Sequence, residues 1–377
     1  MKNPLSDTVY QKRKVPIENE SEDPRGYFFH DQTKIIHSLP FRRLKNKTQV
    51  FFSPENDHIC TRVEHAIHVA TIAKTICKGL NKKGWMLDEE MAYTIGLGHD
   101  LGHAPFGHAG EEALSEVSGK KFYHEIQGYR VVEHIYRLNL TYGVKDGIIS
   151  HNGEKFEQEL RPVNLEKNLN EIVNLNTLPS SFEGCIVRFS DKIAYLGRDI
   201  EDAIMAGFII ENNIPDDVKK IFGDGKGRVS NASIINKLIL DVINSSLDKD
   251  CIMFSDDIYE AMVALKEFNY SEIYKHPKIV EYKKFVKNII FHLYNYLIGL
   301  YSRIGDNYEQ YSENGDMAAS FGKVIEKNKD FYLLAHTSPS DMVVDYISGM
   351  TDGFALRCME EISIPRPIKL IGVKKKE

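Results

Sequence analysis

An all-α fold with only minor short strands is predicted from three observations. Apolar residues recur at helical spacing through most of the chain, strand-like runs are few and short, and polar intervals rich in Asn, Glu, Gly and Pro fall between the periodic stretches. Over residues 62–80, Val63, Ile67, Ala70, Ile72, Ala73 and Ile76 favour one side of a helix, and Thr61 stands where a cap is needed. Further helices are predicted over 89–97, 107–117, 125–138, 182–206, 231–246, 258–268, 279–301 and 342–358. Two polar stretches, 152–180 and 211–230, read as loops or small excursions, and the basic end 369–376 reads as a solvated tail.

At 377 residues with 42% hydrophobic content, the chain can bury a substantial core. Its 48 basic and 54 acidic residues give a net charge of -6, which argues against a protein built mainly to coat nucleic acid or an anionic membrane. No window is apolar enough for a membrane span, and the first twenty or so residues are polar, unlike a secretory signal. A cytoplasmic protein is expected. Five scattered cysteines (Cys60, Cys77, Cys185, Cys251 and Cys358) form no CxxC pair and read as reduced thiols.

The chemistry concentrates in one stretch. Nine of the fourteen histidines lie between His58 and His151, beside acidic residues. Neutral imidazoles bind divalent metals and carboxylates offset their charge, so His65, the adjacent pair His99 and Asp100, and Asp191 form a mixed ligand set. The pair sits in GLGHDLGHAPFGHAGEE, where glycines and Pro105 interrupt a helix and bring His103, His108 and Glu111 near whatever the pair binds. Arg62, three residues before His65, faces the same way on a helix and can meet an anion held there. Asp191, Tyr195 and Asp199 recur every four residues and share a helix stripe.

The segments IIHSLPFRRLKNKTQVF, TRVEHAIHVATIAKTI, GLGHDLGHAPFGHAGEEAL, FYHEIQGYRVVEH, DGIISHNGE, DKIAYLGRDIEDA and DYISGMTDGFA, in this order over about 35–355, closely resemble the HD superfamily. Within it they resemble the deoxyguanosine triphosphate triphosphohydrolases and the related vertebrate deoxynucleotide triphosphohydrolase. The resemblance implies an all-helical HD-domain fold, with an N-terminal segment over 1–34, a catalytic core over 35–210, and a helical C-terminal part of the same unit over 211–377. It implies His65, His99, Asp100 and Asp191 as metal ligands, and His103, Glu111 and His124 as the group that handles protons and the attacking water. Arg62 would contact phosphate, with Lys192 and Arg198 as further candidates beside Asp191. Gln49, Tyr195, Asp199 and, from the shorter match EIYKH, Tyr274 would surround the deoxyribose. His68, His108, His134 and His151 would support these. The bacterial family commonly has Asn after the histidine at His124, whereas this chain has Glu125, closer to the vertebrate pattern, which puts a preference for guanine in doubt.

The reaction so implied is metal-dependent hydrolysis of deoxynucleoside triphosphates at the α-phosphorus, giving a deoxynucleoside and tripolyphosphate. The divalent ion is manganese by first choice, with magnesium, iron, nickel or zinc as alternatives. Other readings are a different HD nucleotide phosphohydrolase, such as a nucleotidase or cyclic-nucleotide phosphodiesterase, and a nucleotide-sensing or single-stranded nucleic-acid-binding protein. The basic cluster Lys34, Arg42, Arg43, Lys45 and Lys47 is either a solvated face or a site for a regulatory nucleotide at a subunit interface. A homo-oligomer of four or six chains is expected from the resemblance, without an accessory domain before the core.

Overall fold

Burying the apolar stripes read above requires each helix to find a partner. The computed structural model describes residues 1–49, 60–153, 155–224 and 228–364. Helices α1 (Asp7–Tyr10), α2 (Gly26–His37), α3 (Leu39–Leu44) and α4 (Arg62–Asn81) lead to α5 (Glu89–Gly98), α6 (His108–Ser118), α7 (His124–Arg130), α8 (Tyr142–Ser150) and α9 (Phe182–Met205). There follow α10 (Asp216–Phe222), α11 (Asn231–Ser245), α12 (Asp256–Phe268) and α13 (Pro277–Ile304), then α14 (Asp316–Lys327), α15 (Lys329–Leu334), α16 (Pro339–Ser348) and α17 (Asp352–Ser363). The fold is all-α. Among the described residues its one sheet is β1 (Glu159–Leu160) paired antiparallel with β2 (Ile252–Met253), Leu160 opposite Ile252. No described helix is long and apolar enough to cross a membrane.

Two hydrophobic clusters organise these helices. The larger is built where α4, α5 and α9 pack on one another, with Ala70, Ile76, Ile95, Ile186 and Ile193 fully buried, and α2, α8 and α11 close around it. The smaller joins α6 to the C-terminal helices through Leu114, Ile290, Leu297, Phe321 and Ile347. Caps fix where the helices begin. The Glu64 carboxylate accepts from the Thr61 N–H at 2.7 Å and its hydroxyl at 2.8 Å, Asp88 accepts from Met91 N–H at 2.8 Å, and Ser181 from Gly184 N–H at 3.1 Å. All five cysteines are free and buried.

The predicted helices are present with ends shifted by a few residues, apart from two corrections. The stretch read as one helix over 125–138 is α7 followed by a π-helical turn, Val131–Ile135. The stretch read as one helix over 342–358 is two, α16 and α17, because Thr351 caps the second by accepting from Phe354 N–H at 3.2 Å. Several short helices, including α2, α8 and α14, were not predicted, and α10 lies inside the polar stretch 211–230. His58, the ends of two matched segments (Val50, Phe51 and Glu154) and the basic end 369–376 lie outside the described residues.

A buried acid at the start of α9 yields a pH test of the larger core. Glu183 accepts from the Asp88 N–H and from Asn3 Nδ2, both at 2.7 Å, and burial pushes its pKa up to about 7. An unfolded glutamate ionises near 4.5, so between these values the native state holds the extra proton. Its contribution is greatest below about 4.5 and is lost as pH rises through about 7. The urea midpoint of wild type minus that of Glu183→Gln should therefore fall across this window and then level; parallel profiles would contradict the assignment.

Candidate metal centre and active site

The sequence-predicted ligands come from three elements of the larger core. His65 lies in the first turns of α4, His99 and Asp100 in the 3-10 turn that ends α5, and Asp191 midway along α9. The turn after α5 can reach α7 only because residue 102 is glycine: a Cβ there would stand 2.1 Å from both Gly128 N and His124 O. All four side chains are nearly or fully buried. His65 Nε2 is 2.9 Å from Asp191 Oδ1, and His99 Nε2 is 3.8 Å from the same oxygen and 3.4 Å from Asp100 Oδ1. His65, His99 and Asp191 have ligand atoms within 4.8 Å of one another, while Asp100 forms a neighbouring group with His103 and His124.

One orphaned atom tests whether these residues suit a cation. His99 Nδ1 lies 2.7 Å from the Gly96 carbonyl, which fixes the proton there and leaves Nε2 as a lone pair. That buried Nε2 has no hydrogen-bond partner among the described residues. An unpartnered lone pair facing two carboxylates, with the opposite ring nitrogen held by a carbonyl, is the arrangement of a metal-binding imidazole. The residues fit a divalent ion. Although burial opposes it, His65 holds Asp191 well below the usual carboxylate range, and His99, His103 and Arg62 do the same for Asp100. For His65, hydrogen bonding to Asp191 outweighs burial and raises its pKa.

The proton-handling candidates form the adjoining wall. His103 Nδ1 is 2.6 Å from Glu111 Oε1 and its Nε2 is 3.3 Å from Asp100 Oδ1. The His103 ring stacks on His124 at 3.9 Å between centroids. His124 Nδ1 is 3.1 Å from Glu111 Oε1, and its Nε2 is 3.1 Å from His151 Nε2. His151 Nδ1 faces the Ile148 carbonyl at 2.7 Å, so in its neutral form Nε2 accepts and His124 donates. The electrostatics agree. Burial would depress His124, but Glu125 and Glu111 outweigh it and raise the pKa to about 10, whereas burial with His99 and His124 nearby lowers His151 to about 3. His103 is pushed well below its ordinary value by burial and Arg62, and Glu111 is held low by His103 and His124 against burial.

Arg62 is buried, with Nη1 2.9 Å from Asp100 Oδ2 and Nη2 3.4 Å from the Gln49 carbonyl, while its Nε has no partner among the described residues. Gln49 is half-buried beside it. Farther along α9, buried Asp199 accepts from the Tyr274 hydroxyl, and burial lifts its pKa to about 7. Tyr274 ends a π-helical turn, Asn269–Tyr274, that brings it to α9, and Tyr195 is half-buried one turn before Asp199.

Some predicted residues go elsewhere. Lys192 is fully buried, with Nζ 3.3 Å from Glu157 Oε2 and 3.2 Å from the Arg188 carbonyl, and Arg198 pairs with Glu201 at 3.4 Å. His68 lies on α4 near Arg198, and His134 stacks on Phe331 away from the cluster. His108 is half-exposed, 3.5 Å from Glu111. His151, expected only in a supporting position, stands between His99 and His124. Lys47, read with a basic face, is buried instead. Glu125, read only for what its identity says about the base, is buried against His124 and His151.

Compared with known proteins, the chain matches the HD domain over residues 62–196 and the phosphohydrolase-associated domain over residues 252–361. It is 36% identical over 356 residues to the deoxyguanosinetriphosphate triphosphohydrolase-like protein of Caldanaerobacter subterraneus subsp. tengcongensis, covering 93% of this chain and 88% of that one. Proteins of the same description from Desulfatibacillum aliphaticivorans and Clostridium tetani are 35% and 33% identical, over 91% and 93% of this chain and 89% of each of theirs.

Removing the orphaned lone pair should remove the ion. Purified wild type stripped with a chelator and refilled with Mn²⁺ should gain thermal stability, by about 2.7 kcal/mol at a hundredfold excess over Kd. His99→Ala and Asp191→Ala should show neither the gain nor bound manganese in elemental analysis. Full occupancy in either variant would remove that residue from the ligand set.

Proposed function

The chain belongs to the deoxyguanosinetriphosphate triphosphohydrolase-like family of HD-domain proteins, and on that premise we propose that it hydrolyses deoxynucleoside triphosphates, dGTP or several of them, to deoxynucleoside and tripolyphosphate. What carries the reading is the length of α9. One helix presents Asp191 to the cation cluster and, two turns on, Asp199 with its Tyr274 partner, so a metal-held phosphate and a hydroxylated sugar can belong to one molecule.

In the proposed reaction the oxygen of a water bonds to the α-phosphorus, the bond from phosphorus to O5′ breaks, and a proton reaches O5′. His65, His99, Asp100 and Asp191 would hold a divalent ion, manganese by first choice, which would supply Lewis-acid polarisation at the phosphate. The Arg62 Nε–H donates to an α-phosphate oxygen as charge builds there. His103, kept neutral by its burial, takes the proton from water, with Glu111 holding its other nitrogen. His124, kept charged by Glu125 and Glu111, delivers a proton to O5′. Gln49, Tyr195, Asp199 and Tyr274 enclose the deoxyribose, and the two tyrosine rings occupy the space a 2′-hydroxyl needs. Lys192 is committed to Glu157, and Arg198, a partly exposed side chain that would have to leave Glu201, is the other candidate on α9 for the phosphate tail.

Incubation of the metal-loaded protein with each deoxy- and ribonucleoside triphosphate, resolving products, tests this directly. Tripolyphosphate and deoxynucleoside should appear in equal amounts from at least one deoxynucleotide, and release of a nucleoside monophosphate or single phosphate instead would sink the reading. Tyr274→Phe should lower kcat/KM for the deoxynucleotide about tenfold, the worth of one hydrogen bond. Tyr195→Ala should narrow the gap between deoxy- and ribonucleotides. An unchanged ratio would show that the ring does not exclude the 2′-hydroxyl.

A further inference from the structure

Two buried charges that take no part in the proposed ligand, proton or sugar contacts converge on the turn that carries His103. Lys47 is 3% exposed, and its ammonium donates to the His103 carbonyl and, at 2.8 Å, to the Ser348 carbonyl. Asp352, 5% exposed, accepts from Phe106 N–H at 2.8 Å on Oδ1, and from Thr48 N–H at 2.8 Å and the Thr48 hydroxyl on Oδ2. The Asp352 N–H in turn donates to the Asn46 carbonyl at 3.1 Å. The two charges therefore bind the His103 turn, the segment 46–48 and the elbow between α16 and α17 into one unit.

The turn needs such support. Phe106 has φ +65° and Gly107 φ +61°, so a bulky L-residue sits in the left-handed region, a conformation that persists only where surrounding contacts over-determine it. Gly107 also packs so closely that a Cβ would stand 3.0 Å from Arg62 Nη2. The last turn of α16 reaches α7: Asp345 accepts from Gln127 Nε2 at 3.0 Å and pairs with Arg130 at 2.7 Å, on the helix that begins with His124. The C-terminal helices thus touch two of the segments that bring imidazoles to the candidate site, those carrying His103 and His124.

We propose that Lys47 and Asp352 are positioning residues for the reaction: they hold the strained 103–107 turn so that the His103 imidazole meets Glu111 and Asp100, and they thereby make the chemistry depend on the elbow between α16 and α17. The inference rests on the functional reading only in taking His103 as a member of the reacting group. Losing either latch leaves α4 and α9, with His65 and Asp191, and the Asp199–Tyr274 pair in place. It frees the turn to relax by a fraction of a helix radius, enough to misplace an imidazole.

The test uses full-length Lys47→Met and Asp352→Asn loaded with Mn²⁺, assayed on the best triphosphate substrate and on bis(p-nitrophenyl) phosphate as a nucleotide-independent probe. Both variants should keep wild-type metal content and a KM within about twofold while kcat falls about 10- to 100-fold. Hydrogen exchange of the peptide spanning 103–107 should quicken in both, with the core of α4 unchanged. A merely structural role gives a different pattern: exchange quickens through α4 as well, or metal content falls with the rate. That pattern, or folded variants with kcat within about twofold of wild type, overturns the proposal. If Lys47→Met does not fold, Asp352→Asn decides. Should neither fold, wild-type exchange decides: the Phe106 amide must be protected, and exchange at the rate of an open loop refutes the latch. Wild-type inactivity on every triphosphate counts against the functional reading alone, since the probe phosphodiester and the exchange experiment still report on the latch.

Discussion

Three buried carboxylates, Asp100, Asp191 and Glu125, and the half-buried Glu111 gather around a few imidazoles and one arginine, and the molecule is arranged so that none of them is left as a bare charge. Burying an ionised carboxylate without compensation is among the costliest things a fold can do. The compensation here comes from at least four places in the sequence: α4 brings Arg62 and His65, the turn after α5 brings His99 and His103, α7 brings His124, and the end of α8 leads to His151. The packing of α4, α5 and α9 is therefore as much an electrostatic requirement as a hydrophobic one. It also explains the density of close backbone contacts, since imidazoles reach only a short way and the elements carrying them must approach closely. These groups titrate as a set, so a pH–rate profile would report on the cluster rather than on any single histidine.

Much of this was legible from residue order because the ligand types coincide with helical periodicity. His65 follows Arg62 on the buried face of α4, and Asp191 and Asp199 fall on the stripe that faces the site. Ile67, read as part of the apolar stripe of α4, is exposed, because the buried face runs through Ala66, Val69, Ala70 and Ala73 instead. What escaped has physical reasons. α8 is buried on every side and carries two glycines, so it has no polar face to give it an amphipathic signature. The α16–α17 elbow is invisible to periodicity because apolar residues continue on both sides of Gly349, and only the capping hydroxyl of Thr351 marks the break. Lys47 sits in a basic run that reads as a wet surface, and nothing in the local sequence announces that two carbonyls from distant segments will accept its protons. Lys192 turns to Glu157, a residue in an aperiodic loop whose course the sequence does not dictate.

The candidate site lies between the two hydrophobic clusters, so the C-terminal helices touch it without contributing a candidate ligand. Phe106 and α6 pack with α13 and the C-terminal helices, yet the turn just before α6 carries His103. The turn carrying His103 is therefore held by α16 and α17, whereas the candidate ligands His65, His99 and Asp191 are carried by α4, the end of α5 and α9. Elements of this kind can lower a rate while leaving the protein folded and its ligand set intact.

The five buried thiols make the molecule its own clock for opening. A thiol reagent attacks thiolate in contact with solvent, and burial both shields these sulfurs and holds the thiols of Cys77, Cys185 and Cys358 protonated. Cys77 and Cys185 belong to the larger cluster and Cys358 to the smaller, so each side of the candidate site carries its own reporter. Labelling at Cys358 ahead of Cys77 and Cys185 would mean that the C-terminal helices detach as a separate cooperative unit while the half with the candidate ligands stays closed, and simultaneous labelling would mean that both halves open as one.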